Sequence, residues 1–427
     1  MNPIAIAAKG KGLSGALKRA TAIGRRYGFS SRKMDRAMSH FGRILREFDG
    51  RATFPIVASA LKRSNGFIGR CQADNIEFAV HGFSHIDHSQ LTREEQLAYF
   101  HQANRQFEEK GLPTRGFRCP YLRWNQETIH AVIESGYLYD SSQGLAWDVV
   151  EGIETEAYRH VLEFYRAIPS SLYPGLPHLE QGLVRIPYCL PDDEALIDRL
   201  RFATPTQMND PWLSMLKETY RLGELFTLGL HPERIFQCEV PLTETLRAAR
   251  ALKPAVWIAR LDEIASWWKA QLERKVHITQ ISGDEYELSF TGPQGLTLLA
   301  RGVEVITQTE AWDGTYQLVT GHPMRFRARR KPFIGVSFHS APCLTSFLNQ
   351  QGYIVEQAGD DQSHVCFLDR AQFGYIDERP LLAQIEDGDF PLIRFSRWPD
   401  GARSALSVTG DIDALSIWDY ILRAVGR

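Results

Sequence analysis

Residues 404–415 read SALSVTGDIDAL. The stretch from Ala405 to Val408 is strand-like, Gly410 interrupts it, and two carboxylates, Asp411 and Asp413, follow two residues apart. Chain ends are usually frayed and dispensable. An apolar strand ending in a D-x-D pair has the character of a core and of a site, yet it sits in the last few residues of a 427-residue chain. Which sheet this strand joins decides the fold.

Upstream, short apolar runs alternate with helical patterns. MDRAMSHFGRILREF (34–48) places Met38, Phe41, Ile44, Leu45 and Phe48 on one helical side. ATFPIVAS follows as a strand, IEFAV (76–80) as another, and TREEQLAYFHQANRQFEEKG (92–111) as an amphipathic helix stopped by glycine. RGFRCPY (115–121), GLVRIPY (182–188), LFTLGL (225–230) and AVWIARL (255–261) read as further strands, and DEIASWWKAQLERK (262–275) as a helix. This alternation predicts an α/β fold with a parallel sheet, open or closed into a barrel. Near Val276 the period changes to two, with turn signals SGDE and TGPQG, as in an antiparallel unit. A strand (331–338), the helix CLTSFLNQQG and more strands follow. Residues 276–395 therefore read as a smaller β-rich α/β second domain, and 1–275 plus 396–427 as the main domain.

Composition is ordinary, with 44% apolar and 23% charged residues and a net charge of −2, so nothing pulls the whole chain toward nucleic acid or acidic membranes. No run of about 18 uninterrupted apolar residues marks a membrane span. The first residues, MNPIAIAAKGKGLSGALK, lack a signal peptide's apolar stretch of about 7–15 residues, so the cytoplasm is the expected compartment. Cys71, Cys119, Cys189, Cys238, Cys343 and Cys366 are scattered without a C-x-x-C and read as buried thiols. Lys9, Lys11, Lys18, Arg19, Arg25 and Arg26 make a basic N-terminal face, either solvated or touching anionic lipid or glycan. Oligomeric state is not readable.

Polar residues fall at strand ends. His81 ends IEFAV, Arg118 and Tyr121 end RGFRCPY, His231 ends LFTLGL, and Asp411 and Asp413 end SALSVTG. In parallel α/β sheets that edge carries the active site. His81 and His85, four apart, share a face in a helical turn and suit one metal, although His88 is near and spacing alone does not choose the pair. Two imidazoles and a carboxylate leave a Zn²⁺-like ion open positions for water and substrate. A second carboxylate can take the water's proton and a further imidazole can protonate a departing amine, a set suited to hydrolysis.

HGFSH, then GFRCPYLRWN, YDSS and LGLHPE, in that order, resemble the polysaccharide deacetylase family, the chitooligosaccharide deacetylase-like carbohydrate esterases, over about residues 30–272. The resemblance implies a distorted β/α barrel of seven or eight strands and removal of N- or O-acetyl groups with a divalent metal, most often Zn²⁺, with Co²⁺, Ni²⁺, Mn²⁺ or Fe²⁺ as alternatives. It places the metal pair on His81 and His85. It also implies that Arg118 holds the catalytic aspartate, that Pro120 and Tyr121 belong to the same motif with the Tyr121 N–H serving an oxyanion, and that His231 is the acid. The family's aspartate motif on its first strand has no counterpart in residues 1–55, and SALSVTGDIDAL looks like that strand displaced. Asp411 then matches the base and Asp413 the metal ligand, in a circularly permuted chain.

The match departs from the pattern in having D-I-D for the usual D-D-G and Cys119 where Pro or Ala is usual. The Asp/Trp motif has only weak candidates, Trp147 and Asp148. Trp124 and Trp147, with Tyr121, are expected to face sugar, whereas Trp267 and Trp268 are expected to pack a helix. An acetylated saccharide is the expected substrate. The alternatives are a small non-sugar amide and an inactive glycan- or partner-binding homologue. An amidohydrolase barrel is disfavoured, since its H-x-H on the first strand is missing.

Overall fold

The computed structural model describes residues 26–64, 67–149 and 152–424. The basic residues Lys9, Lys11, Lys18, Arg19 and Arg25 lie outside them. Strands Ala52–Ile56, Ile76–Val80, Leu225–Gly229 and Ser404–Thr409 are buried at every position, so both of their faces are covered. That is why they read as apolar runs rather than alternations.

They belong to one sheet of nine strands. Its order runs Leu225–Gly229, Ser404–Thr409, Ala52–Ile56, Ile76–Val80, Gly116–Phe117, Tyr139–Asp140, Leu183–Arg185, His178–Glu180, with Val256–Ile258 also paired to Ser404–Thr409. All pairs are parallel except the last two strands of that order. The late strand is therefore internal. Leu225–Gly229 pairs with residues 405–409 on one side, and Ala52 and Thr53 pair with Val408 and Thr409 on the other.

The expected barrel is met in part, because the backbone ladder curls without closing. Between Leu183–Arg185 and Leu225–Gly229 lies a separate three-stranded sheet, Ile168–Pro169, Gly144–Ala146 and Tyr188–Leu190. The Thr227 hydroxyl bridges that gap, accepting from the Cys189 N–H at 2.9 Å and donating to the Pro187 carbonyl at 2.7 Å.

Helix Arg32–Glu47 buries Met38, Phe41, Ile44 and Leu45 as its spacing predicts, and Met34 with them, while Phe48 falls just past the helix end and is half-buried. Helix Arg93–Glu109 starts on a capping box between Thr92 and Glu95. The helix expected over 262–275 occupies Leu261–Ala270 and ends earlier, because Lys275–Ser282 is already a strand. The Trp267 indole donates to the Arg397 carbonyl at 2.8 Å, and Trp268 is buried beside Trp398, so both pack as expected.

Residues 275–395 form two four-stranded antiparallel sheets and a three-stranded parallel one. Helix Tyr375–Glu386 was not anticipated, since Pro380 inside it looks like a breaker. These sheets share an apolar core with the main sheet, in which Leu299, Phe333, Leu348 and Phe395 join Val184, Leu225, Trp268 and Ala405. Leu225 and Ala405 stand at the starts of their strands, so this region packs away from the strand ends that lead to His231 and Asp411. Of the six free cysteines, Cys343 is exposed and the other five are buried. Among the described residues no helix is long and apolar enough to cross a membrane.

Candidate active site

Four strand ends converge. The Leu230 N–H donates to the Thr409 carbonyl at 2.7 Å, the His81 N–H to the Ile56 carbonyl at 3.0 Å, and the Arg118 N–H to the Val80 carbonyl at 3.0 Å. Gly410 must lack a side chain, because a Cβ there would lie 1.7 Å from the Leu230 carbonyl oxygen. Beyond it Ile412 bridges to Ile56 and is fully buried. With Ile412 turned inward, the alternation of extended chain puts Asp411 and Asp413 on the opposite face together.

The histidine pair reaches them differently from expectation. Residues 81–85 form no helix but a bend, with Gly82 at φ +76°. The loop is tied down by the Ala58 and Ser59 N–H groups, which donate to the carbonyls of Gly82 and Phe83 at 3.0 and 2.9 Å. The bend, rather than one helical face, brings the two imidazoles to 5.1 Å between ring centroids. His88 is excluded from the pair. It is fully buried, stacked on Phe100 at 5.5 Å, and burial pulls its pKa down to about 4.

His81 Nδ1 lies 2.9 Å from the Arg118 carbonyl, which only accepts. Nδ1 therefore carries the proton and Nε2 presents a lone pair. That Nε2 is buried without a hydrogen-bond partner. It stands 3.6 Å from both Asp411 Oδ2 and Asp413 Oδ1, and His85 Nε2 stands 3.1 Å from Asp413 Oδ1. One ligand atom from each of His81, His85 and Asp413 lies within 4.8 Å of the others. Tetrahedral arms of about 2 Å would separate ligand atoms by about 3.3 Å, so the set fits a divalent cation.

Arg118 is fully buried, and its donors hold the second carboxylate. Nη1 donates to Asp411 Oδ1 at 2.9 Å and to Thr409 Oγ1 at 3.0 Å, while Nε and Nη2 bind the Ser141 carbonyl and hydroxyl at 2.9 and 3.0 Å. The Tyr188 ring lies 4.6 Å below the guanidinium. YDSS thus supplies the floor, with Ser142 Oγ accepting from the Cys119 N–H at 2.8 Å. The run Cys119–Leu122 turns sharply, with the non-glycine residues Tyr121 and Leu122 at φ +60° and +54°, a strained backbone of the kind that collects at functional sites. Pro120 is buried in that turn, and the Tyr121 ring sits edge-on to His85 at 4.3 Å.

On the other side, His231 Nδ1 meets Asp193 Oδ1 at 2.7 Å, and Arg234 Nε lies 3.3 Å from Asp193 Oδ2. Burial pulls the imidazole down, but the charge and hydrogen bond of Asp193 outweigh it and leave the His231 pKa well above its ordinary value. Asp193 is itself buried, yet His231 and Arg234 hold its pKa low. The reading of the sequence missed Asp193. The signal was LPDDEA (190–195), an acidic pair just past the strand Tyr188–Leu190.

One of the sequence-predicted aromatics, Trp147, lies in the core rather than in a cleft. Trp147 is 2% exposed and donates its indole N–H to Cys189 Sγ, so it is a core residue, while Asp148 beside it is exposed and outside the site. Trp124 is half-buried with the Arg185 guanidinium 4.4 Å over its ring. Arg26, the one described member of the basic N-terminal set, pairs with Glu233 at 2.6 Å, two residues past His231.

Residues 34–139 match the family model for polysaccharide deacetylase. Three similar solved structures cover more of the chain. A probable polysaccharide deacetylase from Pseudomonas aeruginosa PAO1 is 20% identical, with 59% of this chain and 76% of that one covered at a TM-score of 0.45. A putative polysaccharide deacetylase from Mycobacterium smegmatis is 20% identical, over 54% and 76%, at 0.42. Puue allantoinase is 19% identical, over 61% and 77%, at 0.44. No curated protein matches the chain. The matched segment holds His81, His85, Arg118 and Tyr121, so over residues 34–139 the chain is similar to the polysaccharide deacetylase family.

Proposed function

We propose that the protein is a metal-dependent hydrolase that removes an acetyl group from an N- or O-acetylated saccharide. The observation that carries this reading is the cluster at the strand ends, where the buried, hydrogen-bond-orphaned His81 Nε2 faces Asp413 and Asp411, with Arg118 holding the latter. In this reading His81, His85 and Asp413 hold the cation. Two imidazoles and one carboxylate favour Zn²⁺, with Co²⁺, Ni²⁺, Mn²⁺ or Fe²⁺ as substitutes. When bound, such a cation lowers the pKa of water and polarises an acyl carbonyl.

The chain's own groups do the proton work. Asp411, fixed by Arg118 and Thr409, takes the proton from the attacking water. The Tyr121 backbone N–H steadies the oxyanion. His231, kept protonated by Asp193, gives its proton to the departing amine or alkoxide. Arg118 and Asp193 act as positioning residues.

In the same reading the chain is a circular permutant of the family. The internal, parallel placement of Ser404–Thr409 supports this, with 276–395 spanning the original termini as an accessory unit.

The test is acetate release by zinc-loaded protein from N-acetylglucosamine oligomers, an O-acetylated sugar and a small cyclic amide. Acetate from a sugar, lost in Asp411→Asn, is the expected result. Turnover of the cyclic amide alone would replace the saccharide by a small amide. Sugar binding without any turnover would make the protein an inactive homologue.

A further inference from the structure

The Ile417 N–H donates to the Gly28 carbonyl at 2.9 Å, which joins the start of helix Ile417–Ala424 to the run before helix Arg32–Glu47. The residues next to that bond carry large apolar side chains, and these are open to solvent. Phe29 is 78% exposed and Trp418 57%. Ile421, one helical turn beyond Trp418 and on the same side, is 43% exposed. Single exposed apolar residues are ordinary, but several gathered around one backbone contact make a patch that marks an interaction surface.

The chain beside the patch is cationic. Arg32 and Lys33 follow Phe29 closely, the basic residues from Lys9 to Arg26 precede it, and no Asp or Glu comes before Asp35, although the whole chain carries a net charge of −2. Asp35 itself is engaged by Arg70. The carboxylate of the C-terminal helix does not offset these charges. Asp419 is buried, accepts from the Leu415 and Ser416 N–H groups at 3.0 and 2.9 Å, and is paired with Arg63. Exposed Lys62 stands next to Arg63, and both line a cavity together with Leu422 of that helix, His85 and Asp413. The patch therefore adjoins the candidate active site.

We propose that the face carrying Phe29, Trp418 and Ile421 docks on an anionic lipid bilayer, with Arg32 and Lys33 meeting the headgroups. Charge complementarity selects this occupant. Tryptophan and phenylalanine settle at headgroup depth, and lysine and arginine are drawn to the negative lipid surface. A second copy of the chain, docked face to face, would set the same cations against each other. A soluble polyanion would satisfy the cations and leave the apolar side chains in water. The surface lies outside the proposed catalytic machinery, so it stands or falls independently of the hydrolase reading.

The test is co-sedimentation of the full-length protein with vesicles of phosphatidylcholine alone and of equal parts phosphatidylcholine and phosphatidylglycerol. Partitioning onto the anionic vesicles should exceed that onto the neutral ones by at least about tenfold, and should fall as salt rises from about 0.1 to about 0.5 M. The double variant Phe29→Ser, Trp418→Ser should partition about tenfold less, with thermal unfolding and zinc content as in wild type. Arg32→Gln with Lys33→Gln should weaken binding by about fivefold per charge and flatten its salt dependence. Equal partitioning onto both vesicles, or anionic binding undiminished in the folded Phe29→Ser, Trp418→Ser protein, would overturn the proposal. A protein that ignores both vesicles would overturn it too. Sedimentation equilibrium would then assign the face to a second copy if the protein is a dimer that the double variant dissociates, and to the chain's own residues 1–25 if it is a monomer.

Discussion

The strand Ile76–Val80 carries one polar cluster near its start and another just past its end, and they differ in what is left unsatisfied. Near the start, Glu77 faces its register partner Thr53. One carboxyl oxygen accepts from the Thr53 hydroxyl at 2.6 Å and the Asp262 N–H at 3.2 Å, and the other accepts from the Tyr139 hydroxyl at 2.9 Å. The Thr53 hydroxyl accepts from the Leu261 N–H at 2.9 Å. This cluster is saturated, and it pins the first turn of helix Leu261–Ala270 to the sheet. Just past Val80, His81 Nε2 has no hydrogen-bond partner and looks at two carboxylates. Buried polar groups are normally paired, so a saturated cluster explains itself by structure, whereas an orphan nitrogen facing two anions calls for a ligand. The same strand thus supplies a rivet at one end and a site at the other.

That contrast can be broken at both ends. The largest effect belongs to Asp411→Asn, expected to lower kcat/KM by about 10²–10⁴-fold while folding and zinc content persist. Steady-state kinetics with elemental analysis would show it. Next comes Gly410→Ala, which sets a methyl against the Leu230 carbonyl and should cost about 2–4 kcal/mol in denaturant unfolding.

Asp193→Asn follows, with kcat/KM down by about 10- to 100-fold. Its sharper readout is the pH profile. His231 is raised, so it stays protonated through neutrality, and its contribution to stability is full below the ordinary histidine value of about 6.5 and lost as pH climbs through the raised pKa. Removing the Asp193 anion should move the alkaline limb of the activity profile to lower pH.

The smallest effect lies at the rivet. Burial, with Asp262, raises Glu77 to about 8. Its stabilisation is therefore full below the usual glutamate range and fades as pH rises through about 8. The wild type should lose about 1 kcal/mol between pH 7 and pH 9 that Glu77→Gln does not lose, with zinc content unchanged in both. Loss of zinc on Glu77→Gln would erase the distinction between the two clusters.

Much of the site was legible because strands buried on both faces read as plain apolar runs. A polar residue at their ends is then conspicuous. His81 after IEFAV, His231 after LFTLGL and Asp411 after SALSVTG all followed from that rule. What stayed hidden was set by geometry that leaves no periodic trace. Asp193 follows a strand of three residues, too short to show a pattern, and an acidic pair beside proline reads as a turn. The His81–His85 bend depends on the left-handed backbone of Gly82, which spacing alone turned into a helix. Trp147 was assigned to the cleft and lies in the core.

The central claim is that the strand near the C-terminus completes a cation site begun by His81 and His85. The most direct measurement is zinc bound per chain, by elemental mass spectrometry, in wild type and Asp413→Ala, with thermal unfolding as the check on folding. The account expects close to one zinc per wild-type chain and less than about a tenth of that in a folded mutant, since one of three ligands is gone. A folded Asp413→Ala protein that keeps its zinc undiminished would contradict it.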